Sequence, residues 1–302
     1  MYVPEIFVIL LNYNGAEDTV ECVESLKKAM FSRDYKLKIC IVDNKSDNED
    51  LKKIIDYGVN NLSVNIIRND KNIGYAGGNN VGISYAIKNK ADYIWVLNND
   101  VIVDIYSISN LLNTAKHNNA FYSSKIFNYY NKEELMYCGA EIRKNFDVVF
   151  KNININCNIS TDFLSGASIF AHRSLWEKYK LPEEYFLYEE DLDFSLNLKQ
   201  EKIPMYIVAD AKIYHKESVS TNKLSYIKYY YLQRNKLMLI NKYAKNPWKT
   251  CFFIKKFFIF PFRTIRRLIK GIFLNREYIY YTKYEYKAFY DFLRGKVGKF
   301  DD

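Results

Sequence analysis

The chain has little of what usually marks a special class of protein. Its five cysteines, Cys22, Cys40, Cys138, Cys157 and Cys251, form no close pair and leave an odd one over. That spacing argues against a disulfide framework or a zinc site, and a reducing cytosol is the expected setting. No run approaches the roughly 20 apolar residues of a transmembrane helix. The apolar start Ile6–Leu11 is too short for a signal peptide, and Glu5 precedes it in place of a basic stretch. There is no internal repeat, no Pro/Gly/Ser linker, no G-x-G-x-x-G and no Walker loop. Acid is scarce at one end only. Residues 216–302 hold 6 Asp/Glu against 20 Lys/Arg, a net of +14, whereas residues 1–215 hold 29 against 24, a net of −5. Such asymmetry implies a mildly acidic catalytic body and a basic tail for an anionic partner.

What is present suits one large domain with an appendage: 302 residues, 49% of them hydrophobic. Apolar runs at Ile6–Leu11, Leu37–Val42, Val64–Arg68 and Tyr93–Leu97 read as buried strands. Between them, helices are expected from Asp18 or Thr19 (as cap) to about Met30, over Leu51–Tyr57 and over Val81–Lys88. Strand–helix alternation implies an α/β fold with a mostly parallel central sheet flanked by helices. After about residue 120 the segments shorten: Phe121–Phe127, Met136–Ile142 and Phe163–Ala171, then a helix over Glu190–Lys199 and a strand over Met205–Ala209 leading to His215. Residues 225–243 are helical and rich in tyrosine. The best boundary lies near residue 220, where the charge balance flips.

Four acidic or histidine-bearing points stand where buried elements meet solvent, and ligands of open α/β sheets bind at such strand ends. Asp43 follows Cys40-Ile41-Val42, where an acid is placed to accept a hydrogen bond from a pyrimidine ring N–H; alternatively it caps the next helix. Asn98-Asn99-Asp100 ends another run and offers oxygen ligands to Mg²⁺ or Mn²⁺, which commonly take one or two carboxylates plus substrate phosphates. His215 supplies an imidazole to the same site or a structural hydrogen bond. Glu189-Glu190-Asp191-Leu192-Asp193 follows Tyr185-Phe186-Leu187-Tyr188. Carboxyls crowded on apolar surface have raised pKa values and serve as general bases, although acids also favour a helix start. The segment Asn72–Gly82 reads as a glycine-rich turn opening a helix, either a phosphate cradle or a plain loop.

The tail is distinctive too. Trp248–Leu274 carries Lys249, Lys255, Lys256, Arg263, Arg266, Arg267 and Lys270 among phenylalanines and isoleucines, with no acid. This fits an amphipathic segment lying on an anionic membrane surface better than a nucleic-acid site, because phenylalanine and isoleucine bury in lipid. A tail helix packed on the body is the plain alternative.

Taken in order, VILLNYNG (Val8–Gly15), VDNKSD (Val42–Asp47), NIGYAGGNNVG (Asn72–Gly82), WVLNND (Trp95–Asp100), FLSGA (Phe163–Ala167), FLYEEDLD (Phe186–Asp193) and His215 resemble glycosyltransferase family 2, inverting nucleotide-sugar transferases with the GT-A fold. Within that family the chain is similar to the rhamnosyltransferase-like branch that builds bacterial surface polysaccharides. The resemblance implies that Tyr13 and Asp43 contact the base, with Asn72, Gly74 and Asn80 near the nucleotide or its phosphates. It places Asp100 at the last position of a DXD motif, with Asn98 replacing the first aspartate on the donor side. Asp100 and His215 would then hold Mg²⁺ or Mn²⁺, Asp191 would be the general base, and Glu190 would orient it or bind the acceptor.

The resulting expectation is a catalytic domain over 1–220, nucleotide-binding to about 104 and acceptor-binding from about 105, followed by a basic helical extension over 221–302. It would move a sugar from a dTDP- or UDP-linked donor, dTDP-rhamnose included, to a glycan or lipid-linked acceptor at the inner face of the cell membrane. No nucleic-acid partner is expected, and the helix Ser225–Tyr243 serves either as a homo-oligomer interface or as a packing element. A catalytically silent membrane- or polyanion-binding module is the alternative. A nucleotidyltransferase fits poorly, because no basic glycine-rich loop stands near the N-terminus.

Overall fold

The computed structural model describes residues 2–29, 34–59, 63–116, 119–151, 153–216, 225–273 and 276–300. The chain divides into two units, residues 1–183 with 190–218 and residues 184–189 with 219–302. The boundary expected near residue 220 lies outside the described residues.

In the first unit, β1 (Glu5–Asn12) pairs in parallel with β2 (Lys36–Asp43) on one edge and β4 (Tyr93–Asn98) on the other. β3 (Val64–Arg68) extends the sheet beyond β2, also in parallel. Strands covered on both faces need near-continuous apolar sequence, which β1, β2 and β4 supply. The rest is mixed. β11 (Ser168–His172) runs antiparallel to β4 and to β6 (Phe121–Asn128), and β6 pairs in parallel with β12 (Met205–His215). The short strands β5 (Val101–Val103), β7 (Leu135–Tyr137) and β10 (Ile159–Ser160) join this half, while β8 (Ala140–Ile142) and β9 (Val148–Phe150) form a separate hairpin.

Helices α1 (Ala16–Lys28), α2 (Asn48–Val59), α3 (Gly74–Lys88), α4 (Ser107–Ala115), α5 (Arg173–Lys178) and α6 (Glu190–Gln200) complete the unit. Glu17 and Asp18 open α1 and Lys27 and Lys28 close it, the charge order that suits a helix dipole. The aromatic centre is Phe121, edge-on to Trp176 at 5.1 Å and to Phe194 at 5.2 Å, while Trp176 and Phe194 stack at 5.8 Å. That packing fixes α6 against the sheet.

Several expectations change. The glycine-rich segment Asn72–Gly82 is not a turn before a helix; α3 begins at Gly74, which has φ +82°, and contains the other glycines. A Cβ on Gly78 would lie 2.3 Å from Leu11 Cδ1, and one on Gly82 2.3 Å from Ile9 Cγ2. The glycines therefore let α3 press on β1 and β2. Met136–Ile142 is two strands, broken at Gly139 with φ +86°. Only Ser168–His172 of the span 163–171 is strand, and the residues before it form a loop. The cap of α1 is Gly15, and Thr19 is instead buried, its hydroxyl donating to Gly15 O. The strand at Met205 continues through His215.

The second unit holds α7 (Ser225–Tyr243), α8 (Trp248–Phe273) and α9 (Glu277–Leu293). No helix among the described residues is long and apolar enough to cross a membrane. Glu285 on α9 is buried and pairs with Lys256, Arg263 and Arg267 of α8, Arg267 at 2.5 Å. Three of the seven basic residues of the tail thus face an acid of the neighbouring helix. Burial, then repulsion from Arg263 and Arg267, lowers the Lys256 ammonium to about 8. Phe258, Phe262, Ile265, Ile269 and Ile272 form an exposed stripe along α8, with Phe262 75% and Ile272 72% accessible.

Gly82→Ala is expected to destabilise the first unit by about 1 to 3 kcal/mol through overpacking, although alanine is the better helix former by about 1 kcal/mol. Urea unfolding measures it; a midpoint equal to or above wild type would refute the packing role.

Candidate active site

The sheet changes direction of assembly between β1 and β4: β2 and β3 lie on one side, β4 and the mixed half on the other. Carboxyl ends flanking such a switch leave a crevice. Asn12, Asp43 and Asn98 end β1, β2 and β4 there, with Asn12 in register with Asp43 and Leu11 with Asn98.

Asn12 is fully buried, and its amide organises the cluster around Asp43. Nδ2 donates to Asp50 Oδ2 at 2.8 Å, Ser46 Oγ at 3.1 Å and Asp43 Oδ1 at 3.2 Å. Oδ1 accepts from Thr19 Oγ1 at 3.0 Å, and Thr19 in turn accepts from Asn99 Nδ2 at 2.8 Å. One chain of hydrogen bonds therefore runs from Asp43 to the residue before Asp100. Arg68 Nε stands 3.7 Å from Asp43 Oδ2, on the next strand. Tyr13, beside this cluster in sequence, is 54% exposed.

Asn72 accepts from Asn44 Nδ2 at 3.0 Å and from the Gly74 N–H at 2.9 Å, so it shapes the entry to α3. Asn80 is committed elsewhere. Its Nδ2 donates to Leu181 O and Glu183 Oε1, both at 2.8 Å, and its Oδ1 accepts from the Leu181 N–H. In this structure the Asn80 amide thus ties α3 to the 181–183 turn.

Asp100 and His215 meet. His215 Nε2 lies 3.0 Å from Asp100 Oδ1 and 3.4 Å from Asn98 Nδ2. β5 brings them together, because it turns back from Asp100 and pairs antiparallel with the end of β12, setting Val101 opposite His215. Lys216 follows but is bound to Asp18 at 2.6 Å and Glu21 at 2.5 Å. Among the described residues no group of three or more His, Cys, Asp or Glu could hold a metal. One carboxylate and one imidazole fit a divalent ion that takes its remaining ligands from phosphate oxygens and water.

Asp191 lies in the first turn of α6. Its carboxylate accepts from the Leu192 N–H at 2.8 Å and from the Gly166 N–H at 3.3 Å, the latter in the loop before β11. Burial pushes the carboxyl from its ordinary 3.8 up to about 6, against the lowering effect of the Gly166 and Leu192 N–H groups. Tyr75 from α3 donates to Gly166 O at 2.5 Å, and a Cβ on Gly166 would meet its hydroxyl at 3.1 Å. Burial raises the Tyr75 phenol well above its ordinary value, and the charges of Glu190, Asp191 and Asp100 add to that in turn. One phenol therefore feels both the α6 acids and the β4 acid. Glu190 is buried beside Asp191.

Asn12, Thr19, Ser46, Asp50, Tyr75 and Gly166 were not singled out as site residues, although Asn12, Ser46, Tyr75 and Gly166 lie inside the quoted motifs. The one readable signal is an amide closing a wholly apolar strand, where a polar side chain that stays buried must find partners.

The family profile described as Glycosyl transferase family 2 matches residues 7–180. No curated protein matches the chain in sequence. Among solved structures, GalNAc-T7 with UDP, GalNAc and Mn²⁺ is similar with a TM-score of 0.63 at 15% identity, over 72% of this chain and 44% of that one. The chain therefore spans less than half of GalNAc-T7. The mannosyltransferase PcManGT from Pyrobaculum calidifontis, in complex with GDP-Man and Mn²⁺, gives 0.60 at 14% identity, over 98% and 89%. S. aureus TarS 1–349 gives 0.53 at 17% identity, over 81% and 68%. At these identities the likeness is one of fold.

A carboxyl raised on folding binds its proton more tightly in the native state, so its contribution to stability is full below the unfolded pKa and is lost as pH rises through the folded one. Stability is thus expected to fall from about pH 4 to beyond about pH 6. Asp191→Asn should remove that part of the slope in urea midpoints. An unchanged slope would show that the Asp191 carboxyl is not desolvated.

Proposed function

The chain belongs to glycosyl transferase family 2 and has the GT-A fold, and on that premise we propose that it is an inverting glycosyltransferase taking a nucleotide-diphosphate sugar as donor. The observation that carries the reading is the convergence of Asp43, the Asp100–His215 pair and Asp191 at the carboxyl ends of the central strands and the start of α6. Each has a separate task. Asp43, with Tyr13 at the open edge, recognises the base, and Asn72 and Gly74 shape the wall beside it. Asp100, flanked by Asn98, and His215 would hold Mg²⁺ or Mn²⁺ when the donor is bound. That ion would neutralise charge on the departing diphosphate.

Asp191 acts from the acceptor side. A carboxyl titrating at about 6 is charged at neutral pH yet more basic than an exposed aspartate, which suits a general base. It takes the proton of the acceptor hydroxyl as the oxygen bonds to the anomeric carbon and the bond to the diphosphate breaks on the opposite face. Configuration inverts and no covalent enzyme intermediate forms. Glu190 orients Asp191 or binds the acceptor. A uridine or thymidine diphosphate fits the Asp43 site, and a uridine- or dTDP-sugar, dTDP-rhamnose included, is the donor we favour, with a glycan or lipid-linked saccharide hydroxyl as acceptor.

The exposed phenylalanine and isoleucine stripe of α8, with exposed Lys255 and Arg266 among it, favours an anionic lipid surface as the partner of the second unit. Our reading is of an enzyme lying peripherally on the inner face of the cell membrane.

Calorimetry with UDP, dTDP and GDP, each with and without Mn²⁺, tests the donor site. One nucleotide should bind in a Mn²⁺-dependent way, and Asp100→Ala should weaken it at least tenfold; no metal-dependent binding would favour the silent module. In a donor and acceptor screen, Asp191→Ala should keep nucleotide affinity and lose about 10²- to 10⁴-fold in transfer. Full transfer by that variant would sink the base assignment.

Sedimentation with phosphatidylglycerol vesicles should carry the protein down, and phosphatidylcholine vesicles should carry much less. Phe258→Glu/Phe262→Glu should abolish the effect. Sedimentation unaffected by the double substitution would remove α8 as the contact.

A further inference from the structure

The loop over residues 163–167 belongs to the first unit, as do α3 and α6. Its ends are bonded to fixed structure. Phe163 O accepts from Tyr137 Oη at 2.5 Å and from Thr161 Oγ1 at 2.9 Å. The Asn98 N–H, at the end of β4, donates to Ala167 O at 3.1 Å. Ser195 of α6 bridges the loop to the turn that carries Asp191: the Leu164 N–H donates to Ser195 Oγ at 3.0 Å, and that hydroxyl donates to Asp191 O at 2.8 Å. One short loop therefore spans from the strand that ends in Asn98 to the first turn of α6.

Gly166 is where this loop meets the Asp191 carboxylate. Its N–H donates to Asp191 Oδ2 at 3.3 Å, and its carbonyl accepts from the Tyr75 hydroxyl at 2.5 Å. The ring lies against the same residue, since a Cβ on Gly166 would stand 3.1 Å from Tyr75 Oη and 3.3 Å from Cζ. Gly166 does not have a positive φ, so what its missing side chain admits is the tyrosine. Tyr75 is in turn a firm point. It lies in the first turn of α3 and packs on the core of the unit, and Asn79 Nδ2 donates to its carbonyl at 3.0 Å. Its phenol also remains a donor. Burial, then the charges of Glu190, Asp191 and Asp100, hold the phenolic proton well above its ordinary range, so the bond to Gly166 persists while Asp191 titrates.

We propose that Tyr75 is a positioning residue for Asp191: its hydroxyl pins Gly166, and Gly166 presents the N–H that sets the direction of the Asp191 carboxylate. The proposal rests on the reading of Asp191 as general base. A carboxylate turns about its own side-chain bonds unless both oxygens are engaged, and here donors on two different segments engage them. The Leu192 N–H holds Oδ1 at 2.8 Å and moves with α6. The Gly166 N–H holds Oδ2 and refers the carboxylate to the loop, and through Tyr75 to α3. A misplacement of about 1 Å costs on the order of 100-fold in rate. The phenol acts through Gly166 and touches no reacting atom in this role.

The test uses full-length protein and needs no acceptor. Tyr75→Phe keeps the ring and removes the hydroxyl. Hydrogen exchange of amides 165–167 should rise by about tenfold or more while β1 and β4 stay protected. The Asp191 carboxyl, followed by its ¹³C resonance and assigned through Asp191→Asn, should titrate higher, moving from about 6 to about 7, because a bond to the charged oxygen is lost while the ring still excludes water. Gly166→Ala, which pushes the loop off the tyrosine with the phenol intact, should move the titration in the same direction; it is read by the same criteria where Tyr75→Phe does not fold. An unchanged Asp191 titration in the folded variant overturns the proposal. So does a fall toward the ordinary value of about 3.9, which would mean that the hydroxyl serves only to keep water out. The two readings separate: full transfer activity in Asp191→Asn would end the general-base assignment, whereas exchange and titration judge the Tyr75 anchor on their own.

Discussion

The double parallel pairing of β1 is the constraint from which the first unit's chemistry follows. A strand bonded on both edges and covered on both faces buries its middle, Ile6–Leu10, outright, so polarity enters at its ends. Asn12 is one such end. Its buried amide must satisfy its hydrogen bonds within the protein, and it does so by gathering Asp43, Ser46 and Asp50 on one side and Thr19 on the other. Asp43 and Asn99, the residue before Asp100, are thus tied through Asn12 and Thr19. The close approach of α3 serves the same strand, because Gly78 and Gly82 admit Leu11 and Ile9 where any larger residue would push the helix off. Tyr75 rides on that helix, and its reach to Gly166 depends on the same approach.

From this frame the two carboxyls of the proposed site acquire different surroundings. Asp100 is buried beside His215, its Oδ1 lying 3.0 Å from Nε2. Among the described residues Asp191 has backbone N–H groups as its hydrogen-bond partners, and desolvation wins over them. A carboxyl raised in this way is suited to accepting a proton near neutral pH, which is the property the proposed general base requires.

Much of this was legible in the sequence, and the reasons are particular. Asp43 and Asp100 could be placed because an uninterrupted apolar run that stops at an acid marks a buried strand reaching solvent. The α3 glycines misled, since glycine disfavours helix and the segment reads as a loop; packing against β1 overrode propensity. Asn12 received no role because an asparagine after an apolar run looks like an ordinary turn residue. The extension over 221–302 reads as helical, but α9 is not marked off within it because its tyrosines are spread around the helix, exposed at Tyr280, Tyr286 and Tyr290 and packed on Tyr226 at Tyr281 and Tyr284, which blurs any apolar face. The basic residues of α8 could be counted but not aimed, and only the position of Glu285 shows that three of them turn inward.

Residues 184–189 are the instance where sequence and conformation disagree most: Phe186, Tyr188 and Glu189 have φ of 67°, 65° and 72°. Nothing in Tyr185-Phe186-Leu187-Tyr188-Glu189 asks for left-handed backbone; glycine or asparagine would take it at lower cost. A chain that places bulky residues there can hold the shape only if something outside the segment over-determines it, and Arg234 with Asn235 does so through carbonyls, which every residue type possesses. Capture by carbonyls leaves the side chains of Phe186 and Tyr188 free to pack, on Tyr231 and under Lys228 respectively.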